Sequence, residues 1–276
     1  MSSSIASDAE RLPDGWGADS PPDDTLLRAY AEAWAQLNER LVAANGGVTQ
    51  RTAEVVLCDS HEPSPFLNVA VLLRPVLDLG DPLVDEIVQF FAPDEANTPF
   101  LVWSATPMPS FVARGWSLVG HPPVMLRIAG PAEAPQPEGL EIVEVRDPTH
   151  LEQFDRTMIE AFPVAEMAGR RHFSDAVLDL EGWRMWLGVV DGEPVGTAAA
   201  HVTDTLVDVE WISTKEAYRG RRIGEALTWA ATLAAPELPA MLFASDIGQP
   251  IYRRMGYQNL ARLTLWIGKR EQQRQA

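Results

Sequence analysis

The stretch that decides the reading is "EWISTKEAYRGRRIGEAL", residues 210–227. The end of a strand-like segment leads to three arginines and two glycines, and these run straight into residues with helical spacing: Ile223, Ala226, Leu227, Ala230 and Ala234, ending before Pro236. A loop between a strand and a helix leaves the first backbone N–H groups of that helix without intrahelical partners. The helix dipole adds partial positive charge at the same point. Glycines permit close approach to the backbone, and arginine forks bind phosphate oxygens. The segment therefore reads as strand, anion-cradling turn and helix, with a pyrophosphate as the expected ligand. A plain surface turn is the bland alternative. No Gly-Lys-Ser/Thr is present for a nucleotide-binding P-loop, and no Gly-x-Gly-x-x-Gly opens a dinucleotide fold.

Outward from this turn, the carboxyl-terminal half has a clear order. Residues 140–145 alternate like a half-buried strand, 150–162 read as a helix stopped by Pro163, and a second helix is expected within 174–183. Two strands joined at Asp191-Gly192 follow, then a strand over 205–213 with Val207, Val209 and Trp211 on one face and Asp208 and Glu210 on the other. After the helix come a buried strand at 240–244, a brief helix closed by Gly256, and one returning strand over 257–267.

The amino-terminal half repeats this order. "FLVWS" followed by eleven residues to Gly115-Trp116 parallels "MLFAS" followed by eleven residues to Gly256-Tyr257, an offset of 141. The same offset sets "VLLR" (71–74) opposite "ISTK" (212–215). A divergent internal duplication is the expectation. The Pro-rich stretch 129–139 marks the boundary, giving domains at 1–135 and 136–276, with 1–22 expected to be flexible. A helix at about 24–44 and a single strand across 116–128 complete the first copy.

The "RGRRIG" loop resembles the coenzyme A loop of GNAT-type N-acetyltransferases, Arg/Gln-x-x-Gly-x-Gly/Ala, with Arg219, Gly220, Arg221, Arg222, Ile223 and Gly224 in register. The resemblance extends to "ASDIGQPIYRRMGY" (244–257) and to the strand order over 139–267. It implies tandem α/β domains, each a mixed, mostly antiparallel sheet flanked by helices. It also implies acetyl-CoA as co-substrate, an amine of a small molecule or peptide as acceptor, and no metal. The backbone of Ile212, Ser213 and Thr214, the arginine loop and Ser245 are then expected to hold the cofactor. Tyr252 is the expected general acid. Glu210 is the first candidate for the base, and Asp208 the second. Arg222 stands where the family most often has glycine; a helical φ is expected there, leaving the side chain free to turn toward a phosphate.

At offset 141, Tyr252 corresponds to Phe111, Arg219 to Asp78, and the loop to "DLGDPL". The first copy thus lacks both acid and anion cradle and is expected to keep the fold without the cofactor, closing one wall of the acceptor cleft. Trp183, Trp186, Trp211 and residues 160–185 are further candidates for that cleft. A non-catalytic acyl-CoA-binding or regulatory protein is the competing class.

Bulk properties limit the remaining classes. The formal net charge of −17 divides as −12 over residues 1–138 and −5 over 139–276, which disfavours nucleic acid and anionic membranes and would favour a cationic acceptor. No apolar run approaches a membrane span, and no secretory signal is read at the start. Cys58 is the only cysteine, which fits a cytoplasmic protein without an internal disulfide. Cys58 and His61 alone do not make a metal site, and His201 reads as a packed histidine.

Overall fold

The computed structural model describes residues 26–91, 98–162 and 167–270. The expected flexible segment 1–22 lies outside them, as does Pro163. The first half contains α1 (Leu26–Ala44), β1 (Val48–Arg51), β2 (Val55–Asp59), β3 (Val69–Leu72), α2 (Pro82–Phe90), β4 (Phe100–Ser104), β5 (Ser117–Gly120) and β6 (Pro123–Arg127). The second half contains β7 (Leu140–Glu144), α3 (Pro148–Ala161), β8 (Trp183–Val190), β9 (Glu193–Val202), β10 (Val207–Thr214), α4 (Ile223–Thr232), β11 (Ala240–Phe243), α5 (Gln249–Arg254), β12 (Gln258–Arg262) and β13 (Thr264–Gly268). Residues 175–179, expected to be α-helical, form a short 3-10 helix.

The offset of 141 carries α2 onto α4, β5 onto β12 and β6 onto β13 within one residue at each end. It also carries Gly115 onto Gly256, both left-handed, each closing a short helical segment. Glycine is suited there because it adopts positive φ without a Cβ clash.

Where one returning strand was expected at the end of each copy, the chain makes two. The turn at His121-Pro122 separates β5 from β6, and Leu263 separates β12 from β13. The second strand of each pair then crosses to the other sheet. The six-stranded sheet has the order β1-β2-β3-β4-β13-β5, and the seven-stranded sheet β12-β6-β11-β10-β9-β8-β7. β13 is thus hydrogen-bonded on both sides by first-half strands, and β6 on both sides by second-half strands. Proline stretch 129–139 divides the sequence copies, but neither sheet is completed by its own half.

A second link ties the end of the chain to the first half. Arg270 makes a two-pronged bond to Asp59, at 2.8 Å for each prong, and both side chains are buried. One apolar core joins α1, β2, β3 and β4 to α3, β8 and β9, with Trp34 stacked on Trp103 at 4.8 Å. A separate core lies beneath α4, and another beneath α2.

The two copies differ at one joint. In the first, β3 and β4 run parallel and pair over four residues, Val69↔Leu101 through Leu72↔Ser104. In the second, parallel β10 and β11 pair only at Val207↔Ala240 and Asp208↔Met241. Residues 210–213, which correspond to the paired β3, have no β11 partner. β10 also carries a bulge between Glu210 and Ser213, with Trp211 at φ +52°. A bulge bends its strand and re-aims its side chains. The expected alternation of faces therefore fails beyond Glu210, and the bent strand parts from β11 to leave a cleft.

Candidate active site

The cleft opened by this parting has a volume of about 550 Å³ and runs from Ser213 and Thr214 past the arginine turn to Ser245 and α5. Ile212, Ser213, Thr214, Arg219, Gly220, Arg222, Ile223, Gly224, Ser245 and Tyr252 all line it. Arg221 does not; its guanidinium lies over the Tyr218 ring at 5.6 Å. The Ser213 hydroxyl faces the sheet and bonds to Thr197 Oγ1 at 2.7 Å, so only its backbone is presented to the cleft.

The turn is built by local constraints. A 3-10 segment over Glu216–Tyr218 follows β10, and Gly220 then takes φ +79°. Arg219 donates from Nε to the Thr214 carbonyl at 3.2 Å, holding the turn against its own strand. Arg222, at the N-cap of α4, has φ +62° and ψ +14°. This corrects the expectation of a helical φ. A left-handed arginine costs about 1–2 kcal/mol, which explains why glycine suits the position. Nor does its side chain turn toward the cleft's anion position: Nη2 and Nε bond Glu225 at 2.8 and 3.1 Å. That pairing holds the Glu225 carboxyl below its ordinary range.

No side chain caps the amides at the start of α4. In the first copy the corresponding N-cap is Asp81, whose carboxylate accepts from Leu83 N at 3.0 Å and pairs with Arg74 at 2.6 Å. One copy covers its helix start with its own anion; the other leaves the start open. A Cβ on Gly224 would stand 2.9 Å from Thr214 Oγ1, so the narrow wall between β10 and α4 excludes a larger residue. These features fit a diphosphate.

A second, mostly apolar cavity of about 230 Å³ adjoins the cleft and lies between the two halves. Phe162, Ile212, Ser245 and Tyr252 border both spaces. Glu210 borders the apolar cavity, and burial raises its pKa to about 7, with contacts from Asp208 and Trp34 drawing it partly back. Asp208 borders neither space and is fully buried. Burial first, and the neighbouring Glu210 second, push its carboxyl well above the usual range. Tyr252 is pushed up to about 12, chiefly by burial and then by the charge of Glu210, so its hydroxyl is protonated at neutral pH.

Of the candidate aromatics, Trp211 and Phe162 line the apolar cavity, whereas Trp183 and Trp186 are packed in the two cores. His201 is buried and held neutral near neutrality, its pKa lowered to about 4 by desolvation. His172, for which the sequence suggests no role, is also buried and lowered to about 4, with Trp211 packed on its ring. Sequence reasoning missed Trp34, Asn38 and Leu41 of α1, Leu101 and Trp103 of β4, and Leu265 of β13 as cavity residues. Apart from Asn38, their only sequence signal is apolar character, which core residues share. Among the described residues there is no cluster of three or more His, Cys, Asp or Glu side chains able to hold a metal, and no helix is long and apolar enough to cross a membrane.

Residues 181–259 match the family model "Acetyltransferase (GNAT) domain". No match was found among curated proteins. Of solved structures, a GCN5-related N-acetyltransferase from Kribbella flavida is 23% identical, covers 86% of this chain and 94% of its own, and superposes with a TM-score of 0.60. A GNAT-family protein from Novosphingobium aromaticivorans is 15% identical, with coverage of 84% and 98% and a TM-score of 0.53. A GCN5-related N-acetyltransferase from Sphaerobacter thermophilus is 18% identical, with coverage of 88% and 94% and a TM-score of 0.50. These likenesses extend over both halves and show the fold. With the match over 181–259, they support a GNAT-type family for this chain and are consistent with a tandem GNAT-like fold.

Proposed function

We propose that this chain is an N-acetyltransferase whose catalytic unit is residues 136–276, moving an acetyl group from acetyl-CoA to the amine of a small molecule or peptide. The observation that carries the reading is the meeting of two spaces at Ile212, Ser245 and Tyr252, one beside an uncapped helix start and the other beside Glu210. The first half, with β3 and β4 zipped together and Asp81 over its helix start, keeps the fold without a cofactor site.

Acetyl-CoA, when bound, supplies an activated thioester. The amides at the start of α4, aided by Arg219, would receive its pyrophosphate, and the edge of 212–214 that β11 leaves unpaired would receive its pantetheine arm. An alkylamine is protonated at neutral pH, and Glu210, with a pKa near 7, is matched to remove that proton. The freed nitrogen lone pair would then form the C–N bond as the C–S bond breaks; Tyr252 would give its phenolic proton to the departing sulfur, and the excess proton on the new amide nitrogen would pass to the tyrosinate, restoring the phenol. Asp208 is too deeply enclosed to reach the acceptor and supports Glu210 by a side-chain hydrogen bond.

The test is coenzyme A release with a panel of amines, comparing wild type with Tyr252→Phe, alongside titration calorimetry with acetyl-CoA. One site per chain is expected, and a kcat loss of roughly 100-fold with little change in cofactor affinity. Binding without acetylation of any amine would favour the competing regulatory class; two sites per chain would refute the asymmetry between halves.

A further inference from the structure

We infer that the acceptor is a small monoamine with an apolar body, a single aromatic ring or branched hydrocarbon carrying one ammonium group, and that walls from both halves select it. This deepens the proposed transferase reading and rests on it. The cavity beside Glu210 is bounded by α1 and β4 of the first half and by β10, β11 and β13 of the second, with Trp34, Leu41, Leu101, Trp103 and Leu265 among its walls. Among the described residues none of its walls is Lys, Arg or His, and Glu210 is its one carboxylate. Among those residues, and apart from indoles, only Asn38, Glu210, Ser245 and Tyr252 present polar side-chain groups there.

The polar groups are also unevenly placed. Ser245 and Tyr252 lie at the junction with the cofactor cleft, and the Asn38 amide nitrogen already donates to the Trp34 carbonyl at 2.8 Å. Away from the junction, little is left to satisfy hydrogen-bonding groups on a ligand. A buried polar group without a partner is strongly disfavoured, so a peptide backbone or hydroxyl-rich ring fits poorly. A second ammonium would find no second carboxylate. One ammonium beside Glu210 is matched in charge, and Trp34 and Trp211 line the same space. In size, an apolar cavity of about 150 Å³ takes up benzene. The present space of about 230 Å³ therefore suits one ring with a short aminoalkyl arm.

The experiment uses the full chain with phenethylamine, isoamylamine, spermidine and a lysine tripeptide. Amine binding is followed by calorimetry and by tryptophan fluorescence, acetyl-CoA binding by calorimetry, and turnover by thiol release. The two apolar amines should bind and be acetylated with kcat/KM roughly tenfold or more above the other two. Leu41→Trp, at a cavity wall that does not border the cofactor cleft, should abolish amine binding and leave acetyl-CoA binding intact. Phe66→Ala, at the half-exposed mouth, keeps the interpretation testable if Leu41→Trp fails to fold, and should raise KM several-fold without changing cofactor affinity. Preference for spermidine or the tripeptide would overturn the inference and leave the transferase reading standing, as would failure of both apolar amines to bind. Apolar amines that bind to a chain that does not bind acetyl-CoA would uphold the cavity's chemistry and refute the transferase reading.

Discussion

Replacing Glu210 with glutamine should make the protein more stable and less active at the same time, with the gain confined to neutral and alkaline pH. Glu210 is held with a pKa near 7 against an ordinary 4.5, because burial penalises its charged form. Between those values the folded state binds more protons than the unfolded state, so stability falls as pH rises from about 4.5 to 7. Above about 7 both states have lost the proton, and the folded state carries the full penalty. At about 1.36 kcal/mol per pKa unit, that penalty is at most about 3 kcal/mol. Glutamine has the shape of the protonated acid and never ionises. The Glu210→Gln protein should therefore match wild type at about pH 4.5 and exceed it by up to about 3 kcal/mol at pH 8. For a chain of this size, that is a rise in Tm of about 5–10 °C. Calorimetric melts of ligand-free protein at the two pH values are the assay. A gain equal at both, or absent at pH 8, would refute the assignment of a buried, ionising carboxylate at this position. Activity should move the opposite way, falling by about 100-fold or more if Glu210 is the base.

Three further outcomes are expected. The kcat/KM of wild type for an amine acceptor should rise with pH to a midpoint near 7, reporting Glu210 in the free enzyme, and Glu210→Gln should lose that limb; a wild-type profile flat across that midpoint would remove Glu210 as the base. Arg222→Gly and Arg222→Ala both delete the Glu225 pair, so their difference isolates the left-handed backbone: the glycine variant should be more stable by about 1–2 kcal/mol in urea unfolding, and equal stability would contradict the φ of +62°. A fragment of residues 136–276 lacks β6 and leaves β11 and β12 without the strand between them, so it should show no cooperative melt and bind no acetyl-CoA; a well-folded fragment would show that the exchanged strand is dispensable.

What could be read from the chain follows the range of the interactions involved. The arginine turn was legible because an uncapped helix start is a property of a few consecutive residues, Arg219 to Gly224. The duplication was legible because the offset of 141 preserves glycine and apolar positions. The conformation of Arg222 was misjudged: the family's glycine at that place was a sign of positive φ, and the helix that follows did not outweigh it. The bulge at Trp211 left no such sign, since no glycine marks it and the alternation of 207–211 reads as regular. The exchange of β6 and β13 was illegible for a different reason. "PVMLR" and "TLWIG" are both short apolar strands that either sheet could pair, and the choice is made by the tight turns before them and by partners more than a hundred residues away. The acceptor cavity shares that difficulty, because Trp34 and Trp103 look like core residues until α1 is set against β10.

The crossing of β6 and β13 has one more implication. A sheet with a missing central member cannot close by sliding its remaining neighbours together without breaking the register of every side chain on both faces. Loss of the amino-terminal half would therefore open a gap in the very sheet whose β10 forms the reaction cleft. Chemistry can drift away from such a half through single substitutions at places like Phe111 or Asp81, yet the half itself cannot be shed, since its last five residues are built into its neighbour's frame.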